Sequence, residues 1–300
     1  MQSTRSSISI VLSLLGLLFL TACDTTNTTS ETEISEEQAQ AVADVMADAL
    51  ADQSDGMMAG LYDLTASVSR DGISYARVEK SADDRAWRGI QRDFSAEYDP
   101  ETGEHLIQYR REVDRPRLSK LVSVNLSYIF EDVEGTFLEF PRRQSDDIAT
   151  ITFDGQRNGE TTITRPRGVF ESNVERDAQW VLSGLEDGTS TMALSGTQAH
   201  AGTQRVDRNG TVNTREYTLR VNIVDVTIRK PTEDDAPLEE RISGTLEYEG
   251  SVTLVIDGEE RSNTYSGTIE LDGDGAARLR LMGFRNPFII NLANGDVDSA

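Results

Sequence analysis

The chain has 300 residues, with 52 acidic side chains against 29 basic ones and a formal net charge of −23. A field of that sign makes nucleic acid and anionic lipid surfaces poor partners. A single cysteine, Cys23, excludes an intramolecular disulfide, and once it is modified no cysteine nucleophile or cysteine metal site remains.

In chain order, Arg5 and the amino terminus precede an apolar run from Ile8 to Leu20. As a helix that run reaches roughly 20 Å, short of a ~30 Å hydrocarbon core, so it reads as a processed signal and not as a membrane span. It closes on Leu20-Thr21-Ala22-Cys23. This arrangement resembles the signal of bacterial lipoproteins. The resemblance implies removal of residues 1–22 and a mature chain that starts at Cys23 with palmitate-type acyl chains on its sulfur and amine. Two or three such chains hold a protein stably at a membrane. The expected location is therefore the cell envelope, facing the periplasm or the exterior. Asp24 resembles the inner-membrane retention signal of enterobacterial lipoproteins, a rule that differs between bacteria and leaves inner versus outer membrane open.

Residues 23–33 are polar, with nothing to bury, and predict a flexible tether. Residues 34–56 predict an amphipathic helix. Ser35 and Gln38 match a capping box, and Ala39, Val42, Met46, Ala49 and Leu50 recur at helical spacing up to Gly56.

From residue 57 to 300 the dominant period is two, which predicts a single antiparallel β domain. The fold class is all-β: a large meander forming a barrel, half-barrel or sandwich of roughly a dozen strands. Division into two β subdomains near Phe140–Asp147 is the alternative. Val122, Val124, Leu126, Tyr128 and Phe130 alternate with Ser123, Asn125, Ser127 and Ile129 as in a half-buried strand. Turn dipeptides are expected at Asp71-Gly72, Asp154-Gly155, Asn158-Gly159, Asn209-Gly210, Asp257-Gly258 and Asn294-Gly295. Tyr217, Leu219, Val221 and Ile223 are apolar at odd positions, and Val224, Val226 and Ile228 at even ones. That change of face predicts a bulge near Ile223–Asp225.

The C-terminal strands predict their own register. With Asp257-Gly258 as a two-residue loop, Leu246 faces Ile269, Tyr248 faces Gly267 and Gly250 faces Tyr265. Each tyrosine then lies across a glycine. A three-residue turn at Gly273-Asp274-Gly275 sets Ile269 opposite Leu279. A last turn at Phe284–Pro287 sets Leu281 opposite Ile290 and Leu279 opposite Leu292. All apolar residues share one face, which must cover another sheet, the helix or a lipid-like ligand. Ser-Gly-Thr recurs at 195–197, 243–245 and 266–268, at unequal spacing.

Candidate chemistry is sparse. His105 and His200 lie in no metal-binding pattern and are expected to be exposed, at a strand end or in a loop. There is no Gly-x-Ser-x-Gly elbow and no phosphate loop. Asp272-Gly273-Asp274-Gly275 lacks the later glutamate of a calcium loop. The arginine-rich stretches Arg110–Arg117 and Arg142-Arg143 are interleaved with acids and suggest paired or solvated faces, or a local site for an anionic headgroup or glycan. Trp87 and Trp180 are expected in the core or at a sheet edge. The expectation is a lipid-anchored envelope protein that is not an enzyme. Its role would be noncovalent: binding or carrying an apolar or amphipathic ligand, or scaffolding. No cofactor, catalytic residue or metal ligand is expected, and the membrane is the one named partner. The alternatives are an envelope hydrolase on glycan or ester substrates, built around His105 or His200, and a surface adhesion or structural component.

Overall fold

A computed structural model describes residues 35–66, 90–166, 168–186, 188–208, 211–231, 236–256 and 258–299. The signal, Cys23, the tether, the Asp71-Gly72 and Asn209-Gly210 turns, Asp257 and Trp87 lie outside the described residues. Two helices come first: α1 (Glu36–Leu50) and α2 (Met57–Ala66). Twelve strands follow: β1 (Ile90–Asp99), β2 (Glu104–Arg115), β3 (Leu118–Glu131), β4 (Thr150–Arg165), β5 (Gly168–Ser183) and β6 (Thr191–Arg208). The rest are β7 (Thr211–Arg229), β8 (Ile242–Ile256), β9 (Glu259–Asp272), β10 (Ala276–Leu281), β11 (Phe288–Asn291) and β12 (Val297–Ser299). They form one antiparallel meander in sequence order, β1 to β12, open at both edges among the described residues. The sheet runs unbroken through β3 and β4, on either side of Phe140–Asp147.

The capping box closes α1 as expected. The Gln38 amide donates to Ser35 Oγ, and the Ser35 amide donates to Gln38 Oε1 at 3.1 Å. The helix does not run to residue 56. Ala51 is extended, and Asp55 takes a left-handed backbone with φ of 63°. Gly56 then passes so close to the Ala49 and Ala51 carbonyls that a Cβ would sit 2.7 Å from either. The helix α2 that follows carries no helical sequence signal, because Met57, Met58, Ala59, Leu61 and Leu64 are buried together and no polar stripe sets a period.

The strands are long, up to 19 residues in β7, beyond the usual range of 3–10. Such strands stay in one sheet only if they coil and bend. The bends are local. The register shifts between Leu194 and Gly196 in β6 and between Ile223 and Asp225 in β7, the latter where the change of face predicts it. Gly196 and Gly244 have φ of 132° and 135°, and a Cβ on either would run into the carbonyl of Gln179 or Asp225. Two of the three Ser-Gly-Thr segments are therefore kinks.

The C-terminal pairing follows the sequence as far as β10: Leu246–Ile269, Tyr248–Gly267, Gly250–Tyr265 and Ile269–Leu279 are all partners. The last hairpin differs. Leu279 pairs with Phe288 and Ala277 with Ile290. The connecting loop is wider than four residues, because Phe284 stacks on Phe288 at 5.4 Å and its amide donates to the Leu281 carbonyl. A shift by an even number of residues leaves the apolar set on the same face. Asp154-Gly155 and Asn158-Gly159 are not turns: both lie inside β4. Gly155 is there because the Phe153 ring lies where its Cβ would be.

The inward face of the sheet covers the helices. Gly60 of α2 lies against the Trp180 ring of β5, and Ala47 and Ala51 lie against Gly295 beyond β11. Ala39, Ala41, Ala43, Val45, Met46 and Leu50 of α1 are buried, although they project to several sides of the helix. One hydrophobic core runs from α1 and α2 to Leu292. The outward rows are polar, for example Asn158, Glu175, Thr218 and Thr264 across β4 to β9.

Candidate functional site

The densest chemistry lies between the helices and the sheet. Asp55, in the turn between α1 and α2, accepts from Arg111 Nη2 at 2.9 Å and from Lys120 Nζ at 3.0 Å. Asp63 of α2 accepts from Arg157 Nη2. Asp48 of α1 accepts from Gln204 Nε2 at 2.9 Å, and the Ala49 carbonyl accepts from Gln198 at 3.2 Å. At the rim, Asp44 pairs with Arg215 at 3.3 Å, and Tyr62 donates to Glu239 at 2.6 Å. Each bond joins a helix or the turn between the helices to a different part of the sheet or its loops.

Register explains how the cations gather. On the inward face Arg157 of β4 is the partner of Arg176 in β5, and Arg176 is the partner of His200 in β6. Two guanidinium groups and an imidazole thus form one inward row, with Arg157 and His200 buried and Arg176 half-buried. Burial disfavours the Asp55 anion, but Arg111, Lys120 and Arg176 outweigh it and hold the carboxyl well below its usual range. Burial likewise opposes the charge on Arg157, and Asp63 restores it. Arg176 keeps a lowered pKa, because burial outweighs the more distant Asp55 and Asp48. Asp48 is pushed up by burial despite Arg176 and Gln204. His200 is pushed well below 6.5 by burial and then by Arg176.

Both histidines are corrections to the expected exposure: His105 is 8 % and His200 1 % exposed. His105 Nε2 sits 2.9 Å from the Leu138 carbonyl, between Tyr98 and Phe130. His200 Nε2 meets the Tyr217 hydroxyl at 3.3 Å, and its Nδ1 finds no partner among the described residues. Neither imidazole contacts a serine or a carboxylate among the described residues, the arrangement a base with its nucleophile or orienter requires. No group of three His, Asp or Glu side chains among the described residues could hold a metal ion. Asp272-Gly273-Asp274-Gly275 is the β9–β10 turn. Trp180 is a core residue at 2 % exposure. Arg110 and Arg111 part company: Arg111 is half-buried on Asp55, whereas Arg110 is exposed, 4.0 Å from Asp93.

Comparison with known proteins finds no matching family model, no similar curated protein and no similar solved structure.

Sequence reasoning passed over Arg157, Arg176, Asp55 and Asp63. A signal existed for the arginines. Both occupy the inward phase of a strand, among Phe153 and Gly155 in β4 and Ala178 and Trp180 in β5. A charge on the apolar phase of a strand announces a buried partner. The chemistry of the cluster is cohesion: it ties an N-terminal plug to the sheet around it.

Proposed function

We propose that this protein is a lipid-anchored scaffold of the bacterial cell envelope, held through acylated Cys23 and without catalytic activity of its own. One observation carries the scaffolding reading over the carrier reading. The apolar face of the sheet, the surface that would receive a lipid-like ligand, is occupied by α1 and α2. Three surface pockets among the described residues are open and lie elsewhere, on the outer rows of the sheet and beside the start of α1. A carrier would have to expel the helices and break the Asp55 and Asp63 ion pairs. The contacts of His105 and His200 favour a non-catalytic role over a hydrolase.

The test has two parts. Intact mass of membrane-extracted protein is expected to give a chain starting at Cys23 with its acyl chains, and Cys23→Ala is expected to release the protein from membranes. Native mass spectrometry in mild detergent is expected to show no lipid beyond the covalent chains. A stoichiometric noncovalent lipid that remains bound after the exposed arginines Arg115, Arg117 and Arg165 are changed to Gln would overturn scaffolding in favour of carriage.

A further inference from the structure

Three neighbouring turns of this acidic chain carry arginines. The β2–β3 turn reads Arg115-Pro116-Arg117, the β4–β5 turn opens on Arg165-Pro166, and β6 ends on Arg208. Arg115, Arg117, Arg165 and Arg208 are exposed, and none has an ion-pair partner among the described residues. The meander brings these turns to one end of the sheet, side by side. The Thr164 amide donates to the Arg117 carbonyl at 3.0 Å, and Gly168 is the strand partner of Arg208. The prolines fix their backbone angle and stiffen the two corners. The opposite end carries Asp99 and Glu101 in the β1–β2 turn and Asp132, Glu134, Asp146 and Asp147 between β3 and β4, with the exposed Arg142 and Arg143 in the same connection.

The start of α1 lies at the arginine end. Glu37, Gln40 and Asp44 share a surface pocket with Arg208, Thr211 and Ile256. Ser35 is twelve residues from Cys23, a reach of at most ~40 Å.

We propose that Arg115, Arg117, Arg165 and Arg208, at the ends of β2, β4 and β6 and in the β2–β3 turn, form an arginine patch that docks on anionic phospholipid headgroups and holds the body with this end toward the membrane. The anchoring half of this idea rests on the lipoprotein reading; the docking half does not. Guanidinium groups suit phosphate oxygens in charge and geometry. Charges beyond about 8 Å are screened at physiological salt, so the distant acids do not cancel the patch. Acids also stand close by: Asp114 and Asp207 are the chain neighbours of Arg115 and Arg208, Glu171 and Asp207 are held by Arg205, and Glu259 and Glu260 at the start of β9, with Glu36 and Glu37 of α1, border the patch. Contact is therefore confined to the β2–β7 side, and the body tilts.

The test uses the full acylated chain on vesicles of phosphatidylcholine, with or without phosphatidylglycerol. A fluorophore is placed through Thr211→Cys at the arginine end or Glu134→Cys at the other, and a headgroup-attached quencher reports proximity. The Thr211 label is expected to be quenched more on anionic than on neutral vesicles, and the Glu134 label equally on both. High salt and the exposed triple change Arg115→Glu, Arg117→Glu and Arg165→Glu are expected to abolish the difference. A triple change to Gln, the fallback if the Glu variant misfolds, is expected to lower surface partitioning about fivefold per arginine. Equal quenching of both labels, insensitivity to salt, or full docking by the variant would overturn the proposal. Failure of the anchor is visible separately, as protein that washes off in high salt. In that event docking is read as low-salt cosedimentation with phosphatidylglycerol vesicles alone, and its absence or its persistence in the variant overturns the proposal.

Discussion

Arg157 of β4 and Arg176 of β5 are direct cross-strand partners, two like charges side by side on the inward face of the sheet. Asp63 of α2 is what makes the first of them tolerable. Asp63→Ala leaves a buried guanidinium without its carboxylate and is expected to cost about 3–5 kcal/mol. Urea denaturation should show a lower midpoint with an unchanged slope. Replacing both partners by apolar residues, as in Asp63→Leu with Arg157→Met, is expected to cost much less than the single change, and the double-mutant cycle measures the coupling.

His200 gives stability a pH dependence of definite sign. Its folded pKa is depressed by burial and by Arg176, so the unfolded chain takes up the proton first. The stability it contributes is full above about pH 6.5 and is lost as pH falls toward the folded value. Thermal midpoints should drop between about pH 7 and pH 5, and His200→Gln should flatten that slope. A midpoint that rises on acidification across this range would contradict the buried neutral imidazole. His105, also depressed by burial, acts in the same direction.

Gly60 lets α2 lie on Trp180. A Cβ there would stand 2.6 Å from the indole ring, so Gly60→Ala must push the helix off the sheet or turn the ring. A loss of about 1–3 kcal/mol is expected, as for other overpacked cores. Adding Trp180→Phe should recover part of it. If Gly60→Ala alone is neutral in thermal melts, the helix does not rest where the structure places it.

Gly244 is a kink without a substitute. Its φ of 135° and its approach to the Asp225 carbonyl exclude any side chain. Gly244→Ala is expected to cost at least ~1–3 kcal/mol. Amide exchange should quicken first around the β7 register shift at Ile223–Asp225.

Where sequence and structure part, each difference has a local physical reason. Tyr248 and Tyr265 each need a glycine opposite, and that need fixed the β8–β9–β10 register from the chain alone. The Leu279–Phe288 pairing was hidden because loop width, set by the Phe284–Phe288 stack, leaves no mark in strand alternation. His200 was hidden for the opposite reason. In β6 the inward positions are Gln198, His200 and Gln204, while Ala199 and Ala201 face outward, so alternation by polarity runs backwards there. The same inversion concealed the buried ion-pair lattice. Helix α2, buried along nearly its whole length, had no amphipathic period to betray it.

The order of elements sets a condition on how this protein reaches its native state. Helices α1 and α2 are made before the twelve described strands, yet α1 is finished only by Leu292 and Gly295, which meet Asp52, Ala47 and Ala51. Until that last stretch of chain arrives, Ala39, Val42, Met46 and Leu50 have no complete surface to bury against. Chains dominated by such long-range contacts fold slowly and expose apolar segments meanwhile. The first-made helices must therefore be held in a form that does not aggregate, and it is their surroundings, assembled last, that release them from that wait.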